Sequence, residues 1–210
     1  MRPERRALLG VSLAALLVPW TARAQEAPSF AEVSAPVAAL DAGLLAVMKA
    51  GDATPFPKRY AMLEPILVQS FNLPRILELT VGFGWPNLTP SQRQGLLTVF
   101  QEYTVASYVA NFDSYNGQQF RILPGLRAVG AQQVVSTDIV SGDGSTRRIN
   151  YVLLPNGARW QVVDVLLDGT ISQVAVQRSD FYSVLSSGGA DALIVALKKK
   201  IATLSGNTMS

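Results

Sequence analysis

The chain contains neither cysteine nor histidine among its 210 residues. Without cysteine it forms no disulfide bonds and offers no thiolate for metal binding or nucleophilic attack. Without histidine it has no Ser–His–Asp triad, and the commonest general base and metal ligand are also missing. We therefore expect no catalytic residue, no metal site and no cofactor. A domain without disulfides has to be held together by its apolar core.

Charged residues are also scarce, at 16% of the chain against 49% hydrophobic residues. This composition predicts a folded domain with a sizeable core. The net charge is +3, and four arginines and one glutamate within residues 1–24 account for all of it. The rest of the chain is therefore neutral overall. The net charge is therefore no evidence for the basic patch that nucleic-acid binding needs, and we expect no nucleic-acid partner.

The first 24 residues have the features of an export signal. Met1–Arg6 is basic, Ala7–Val18 is apolar, and Ala22–Ala24 fits the small-x-small cleavage pattern. The apolar run is shorter than the about 20 residues that cross a bilayer comfortably. We expect a signal peptide cleaved after Ala24, with an uncleaved membrane anchor as the alternative. Arg5-Arg6 leaves both the general secretory and the twin-arginine route open.

Because no cysteine follows the apolar run, a lipoprotein anchor is excluded. The exported protein is therefore expected to be soluble in the periplasm. We find no internal repeat, linker or low-complexity tract, so residues 25–210 are expected to form a single domain.

Four helices are predicted in the first half of the chain. Residues 25–36 are expected to be a loosely ordered start, and apolar residues at helical spacing follow them. A polar residue next to a proline marks later helix starts, and Pro65 is expected to kink or divide the second helix. The predicted segments are Val37–Lys49, Thr54–Ser70, Asn72–Val81 and Thr89–Phe112.

From about Tyr115 the apolar pattern alternates with period two, which is typical of strands. The four predicted strands are Gln118–Leu123, Gln132–Val140, Thr146–Leu154 and Arg159–Leu167. Turn sequences at 142–144 and 155–157 join consecutive strands, so the sheet should be antiparallel.

Two closing helices are predicted after the sheet, Ser179–Ser187 and Asp191–Leu204, separated by Gly188-Gly189. The predicted fold class is therefore α+β, with N-terminal helices, a four-stranded antiparallel sheet and C-terminal helices in one domain.

The acidic residues give little support for catalysis. Asp164 and Asp168 lie four residues apart on a predicted strand or its end, which separates them by roughly 13 Å. That distance is too large for a glycosidase pair, and a structural role is the simpler interpretation. A small-pocket enzyme that uses Asp164 together with Tyr151 stays open as an alternative.

Basic residues cluster at two places. Arg147 and Arg148 are neighbours on a predicted strand, so their side chains should point to opposite faces of the sheet. Lys198–Lys200 falls near the end of the last predicted helix, where positive charge compensates the helix dipole. A patch that contacts membranes is the alternative interpretation of these lysines.

The chain is rich in apolar and aromatic side chains, which lie on the predicted helix faces and strands. A filled core and a lipid-lined cavity have the same sequence signature, so both interpretations stay open. An adaptor or scaffold with a filled core is accordingly another alternative. The aromatic residues concerned are Phe71, Phe83, Trp85, Phe100, Tyr103, Tyr108, Phe112, Tyr115, Tyr151, Trp160, Phe181 and Tyr182.

Several segments together resemble the toluene-tolerance/MlaC family, which includes HpnM from hopanoid gene clusters. The strongest likeness lies in Ile149–Leu153, Trp160–Val165 and Asp168–Ser172, followed by Arg178, Phe181 and Gly189–Ile194. The N-terminal half contributes Phe56, Arg59, Phe71–Leu73, Val81-Gly82, Trp85, Gln92-Arg93, Phe100, Tyr103, Tyr108 and Tyr115. The chain departs from the family pattern at Asn72, Asp168 and Thr170-Ile171, where aspartate, glutamate and valine are common.

This resemblance implies a soluble, monomeric periplasmic carrier that binds one lipid, a phospholipid or a hopanoid, in an apolar cavity. Its relatives exchange lipid with an inner-membrane MCE/ABC transporter complex and with an outer-membrane lipoprotein complex. The lipid-binding residues expected on this basis are Phe71, Ile76, Leu79, Trp85, Leu97, Phe100, Tyr103, Tyr108, Tyr151, Val163, Val165 and Phe181.

Overall fold

The computed structural model describes residues 27–209. The expected signal peptide and its cleavage site lie outside the described residues. Within these residues, five α-helices and one 3₁₀ helix surround one face of a six-stranded sheet. The helices are α1 Phe30–Ala50, α2 Phe56–Ser70, α3 Leu73–Val81, the 3₁₀ helix Gly82–Asn87, α4 Pro90–Asn111 and α5 Gln173–Leu204. The strands are β1 Gln119–Ile122, β2 Arg127–Val129, β3 Gln132–Val140, β4 Thr146–Asn156, β5 Arg159–Leu167 and β6 Ile171–Ser172.

The predicted α+β class is confirmed, but the expected number of four strands is wrong. The sheet runs in the order β1-β3-β4-β5-β6, with β2 also paired to β3, and every strand pair is antiparallel. The two strands missed are β2 and β6, of three and two residues. Strands this short are below the four to eight residues over which period-two alternation is recognisable.

Local capping signals determine where the helices begin. Helix α1 starts at Phe30, earlier than expected, because Ser29 and Glu32 form a reciprocal capping box. Thr89 and Gln92 form the same box at the start of α4. At the start of α3, the Asn72 side chain accepts a hydrogen bond from a backbone N–H in the first turn.

Helix α1 is long and apolar enough, among the described residues, to cross a membrane by length and composition alone. Its packing is that of a core helix, because nine of its residues are buried inside the domain. Val33, Val37, Leu40 and Leu44 are all fully buried. They follow the helical repeat of a single apolar stripe.

Two closing helices separated at Gly188-Gly189 were expected, and α5 is indeed interrupted at Gly189, but its first half starts at Gln173, six residues earlier than predicted. Gly189 has φ 68° and ψ −163°, which breaks the helix and lets its two halves take different directions. Both halves line the same cavity, through Gln177 in the first and Ala196 in the second. The interruption therefore turns the second half back along the domain.

A second irregularity lies in β5. Val152 of β4 pairs with Asp164, whereas its neighbour Leu153 pairs with Val162. Val163 is left without a cross-strand partner, as the extra residue of a β-bulge. The bulge resets the alternation, so that Val162 and Val165 both face the helices. Val163 instead packs in a small cluster with Val134 and Val152.

Candidate functional site

An apolar cavity of about 1280 Å³ lies between the sheet and the helices α3, α4 and α5. It exceeds the roughly 300–1,000 Å³ of typical small-molecule pockets. Its apolar wall is formed by Met48, Phe71, Leu73, Ile76, Phe100, Tyr103, Tyr108, Phe112, Ile139, Ile149, Tyr151, Val165, Leu167, Val174 and Leu204. Many of these side chains belong to the main core of the domain.

Aromatic rings give part of this wall a defined shape. Phe71 and Tyr108 meet edge to face with ring centroids 5.6 Å apart, and Tyr108 stacks on Phe112 at 6.0 Å. Phe100 packs edge-on against Phe181 at 6.2 Å. Such pairs contribute about 0.5–1.5 kcal/mol each beyond burial, so they favour this arrangement of the wall.

A buried acid lies close to the tyrosines of this wall. Asp41 of α1 is 6% exposed, and neither of its carboxylate oxygens has a hydrogen-bond partner among the described residues. Burial raises the pKa of Asp41 to about 7. Burial also raises the pKa of Tyr108 and of Tyr151, and the nearby charge of Asp41 adds to both shifts. Asp41 is therefore a neutral acid below about pH 7.

Asp164, the residue considered for catalysis, is engaged in structure. Its Oδ2 accepts a hydrogen bond from Ser172 Oγ at 2.5 Å. Its Oδ1 accepts hydrogen bonds from the backbone N–H groups of Val165 at 2.8 Å and Val174 at 3.1 Å. The carboxylate thus holds the first turn of α5 against β5. This arrangement gives Asp164 no free oxygen directed at a substrate.

The polar lining marks where the cavity meets solvent. Thr146 and Arg147 from the start of β4 are exposed, and so are Lys199 and Lys200 from the second half of α5. The apolar residues Phe100 and Tyr151 of the same lining are buried. The cavity therefore has an apolar interior and a polar mouth between the β3–β4 turn and the end of α5.

Seven of the twelve expected lipid-binding residues line this one cavity. They are Phe71, Ile76, Phe100, Tyr103, Tyr108, Tyr151 and Val165. The other five lie outside its lining, and they are Leu79, Trp85, Leu97, Val163 and Phe181. For all twelve, a role in binding lipid stays a prediction.

Local geometry explains the five that lie outside the lining. Val163 is turned away by the β-bulge, and Phe181 sits behind Phe100. Trp85 lies in the 3₁₀ helix, with the Arg93 guanidinium 5.2 Å from its ring. Leu79 and Leu97 are partly buried and pack against the main core of the domain instead of lining the cavity.

The sequence interpretation also missed lining residues. Ile149 lies two residues from Tyr151, and Leu167 lies two residues from Val165. Residues two apart on a strand share a face, so the period-two pattern contained the signal for both. Lys199 and Lys200 had no such signal. They reach the cavity because α5 turns back at Gly189, which neighbouring sequence does not reveal.

Among residues 27–209, no three His, Cys, Asp or Glu side chains come together in a way that could hold a metal ion. The fold and the cavity define an α+β protein whose helices and sheet enclose an apolar space that is open at a polar mouth. The sequence matches the MlaC protein family over residues 39–199, and the chain belongs to this family.

A comparison with solved structures gives the same fold. A phospholipid-binding protein from Ralstonia solanacearum, determined in complex with a phospholipid, is similar with a TM-score of 0.71 and 21% sequence identity. The similarity covers 83% of this chain and 99% of the Ralstonia chain. A comparison with curated protein sequences finds no significant match.

Proposed function

We propose that the protein is a soluble periplasmic lipid carrier that binds one lipid, a phospholipid or a hopanoid, with its apolar part in the cavity. The observation that carries this proposal is the cavity itself, with its apolar interior and polar mouth. The Ralstonia solanacearum protein of the same fold, which binds a phospholipid, supports it. Membership of the MlaC family supports it as well.

The energetics of the cavity suit such a ligand. Burying one CH₂ group is worth about 0.8 kcal/mol, so a chain of about 16 carbons gains roughly 13 kcal/mol before the costs of binding. Apolar contact alone can therefore retain a lipid, without a metal, a cofactor or a catalytic group. Binding is still tight when the entropy that the lipid loses on binding offsets much of this free energy.

The same energetics make spontaneous release into water slow. A carrier of this kind needs an opening motion or a partner that accepts the lipid. We propose an inner-membrane MCE/ABC transporter complex and an outer-membrane lipoprotein complex as the two partners, with this protein passing between them as a monomer. The equal numbers of positive and negative charges in residues 25–210 allow contact with either membrane without strong attraction to anionic lipid.

The two alternative functions have less support. An adaptor with a filled core would not need an open space of about 1280 Å³ behind a polar mouth. A small-pocket enzyme would need Asp164 free to act, but its carboxylate already accepts hydrogen bonds from Ser172, Val165 and Val174. Both observations favour a binding protein over an adaptor or an enzyme.

Native mass spectrometry of the protein, purified from periplasm without detergent, tests the proposal directly. We expect a one-to-one adduct whose mass, after extraction, identifies a phospholipid or a hopanoid. A ligand-free mass that persists after incubation with lipid vesicles would contradict the proposal and favour the adaptor. The mass of the exported polypeptide in the same spectra also tests cleavage after Ala24, because it identifies the N-terminal residue.

A further inference from the structure

The mouth of the cavity carries an excess of positive charge. Its lining includes three basic residues, Arg147, Lys199 and Lys200, and a single acid, Asp164. The oxygens of Asp164 are already occupied at the start of α5. Since residues 25–210 carry equal numbers of both signs, this excess of positive charge is a local feature of the mouth.

The basic residues reach the mouth from two distant parts of the sequence. Arg147 belongs to β4, next to the β3–β4 turn, and its partner across the sheet is Ile139, which also lines the cavity. Its neighbour Arg148 lies on the other face and pairs with Asp138. Lys199 and Lys200 come from the second half of α5, whereas the adjacent Lys198 does not line the cavity.

Lys200 is directed toward the cavity wall. Its Nζ lies 5.7 Å from the centroid of the Tyr103 ring, in cation–π geometry. Within the described part of the chain, no carboxylate oxygen lies within 4.0 Å of Nζ of either Lys199 or Lys200. Arg147 has only a loose partner, with its Nε 3.7 Å from Asp168 Oδ1 and both side chains mostly exposed. Among residues 27–209, the two ammonium groups therefore have no carboxylate at ion-pair distance.

Hydroxyl groups complete this polar rim. Ser141, Ser145 and Thr146 of the β3–β4 turn region line the same mouth. Ammonium, guanidinium and hydroxyl donors together form the donor set that phosphate oxygens prefer. The apolar interior begins directly behind them, with Tyr103 and Tyr151 in the same lining.

We infer that the mouth is a subsite for the phosphate of a lipid head group, formed by Lys199, Lys200 and Arg147, and that it selects phospholipids over lipids without phosphate. This inference rests on the proposed function, because the subsite acts on a lipid whose chains occupy the cavity. Exposed ion pairs contribute little individually, so the subsite sets selectivity while the acyl chains supply affinity.

The experiment is a competition between two lipids with identical acyl chains in one vesicle. Equimolar vesicles of phosphatidylglycerol and the uncharged digalactosyldiacylglycerol are incubated with delipidated protein, and native mass spectrometry counts the two adducts. The experiment compares the unaltered chain with two double variants, K199Q/K200Q and K58Q/K198Q. K58Q/K198Q is the control, because Lys58 and Lys198 are exposed and do not line the cavity.

We expect the unaltered chain to favour phosphatidylglycerol, K199Q/K200Q to reduce that ratio about three- to tenfold, and K58Q/K198Q to leave it unchanged. Equal loading of both lipids by the unaltered chain, or an unchanged ratio in K199Q/K200Q, would overturn the subsite but keep lipid carriage. Loading of neither lipid would overturn the proposed function and the subsite together.

A second measurement distinguishes a lipid head group from a free anion. Inorganic phosphate is titrated calorimetrically into the delipidated protein. We expect no measurable heat of binding, because the exposed cations hold phosphate only when the acyl chains anchor it. Binding of inorganic phosphate that is lost in K199Q/K200Q would assign the mouth to a free anion and overturn its role in lipid selection.

Discussion

Oδ1 of Asp164 accepts a hydrogen bond from the backbone N–H of Val174, across ten residues of sequence. Together with the bond from Ser172 Oγ, this contact fastens the first turn of α5 to β5. Val174 itself lines the cavity, as does Gln177 one turn later. The carboxylate of Asp164 therefore helps to position the cavity wall formed by α5.

Asp164→Ala is expected to lower the free energy of unfolding by about 2 kcal/mol, since it removes a charged cap and leaves the N–H of Val174 without its acceptor. Urea unfolding followed by circular dichroism measures the change. The matched control is Asp180→Ala, an exposed acid of the same helix, which should shift stability by less than about 0.5 kcal/mol. Equal effects of the two substitutions would contradict the structural role of Asp164.

Tyr103→Glu is expected to abolish retention of lipid, because it places a second acid in the cavity wall beside the acyl chains. Leu97→Glu is its control, since Leu97 lies on the same helix, is also partly buried, and does not line the cavity. The readout is the fraction of lipid-bound protein after detergent-free purification, with circular dichroism confirming that both variants fold. Retention of lipid by folded Tyr103→Glu would place the ligand elsewhere.

Much of the fold could be predicted because its signals are local. The predicted bounds of β3 and β5, Gln132–Val140 and Arg159–Leu167, agree with the structure residue for residue. Asn72 and Thr89 marked the starts of α3 and α4, since each side chain caps its own first turn. Such capping depends on residues within three positions, which a sequence displays directly.

The candidate site was harder to predict because non-local geometry builds it. The bulge in β5 moves Val163 to the face of the sheet opposite the cavity, and the alternating sequence pattern does not predict this bulge. The interruption of α5 at Gly189 lets Lys199 and Lys200 line the same cavity as Arg147 of β4, more than forty residues away in sequence. Periodicity assigns a face to a residue, but it does not determine what that face meets.

Gly189→Ala is expected to destabilise the fold by about 1–3 kcal/mol. Gly189 has φ 68° and ψ −163°, a conformation that is essentially restricted to glycine. A Cβ there would meet no atom within 4 Å, so the cost is conformational rather than steric. Chemical denaturation measures it. Gly84→Ala is the control, because Gly84 has an ordinary φ and its added Cβ makes only normal van der Waals contact. An unchanged midpoint for Gly189→Ala would mean that α5 does not need this turn.

Asp41 makes stability depend on pH. Its pKa is raised from 3.8 to about 7 by burial, so the folded protein binds a proton between these values that the unfolded chain has released. Stability attributable to Asp41 is therefore full below about pH 4, falls as pH rises toward 7, and is flat above that. The whole difference is roughly 4 kcal/mol.

Asp41→Asn removes the ionisation and keeps the size of the side chain. The variant should unfold much like the unaltered protein at pH 4 and should be clearly more stable at pH 8, because the unaltered protein then carries an unpaired buried charge. Urea midpoints at the two pH values measure this, with Asp113→Asn as an exposed control that should follow the unaltered protein at both. A stability difference between Asp41→Asn and the unaltered protein that stays constant from pH 4 to pH 8 would show that folding does not raise the pKa of Asp41. Since Asp41 also raises the pKa of Tyr108 and Tyr151, a confirmed pH dependence would mean that a negative charge forms behind these two cavity-lining tyrosines near neutral pH.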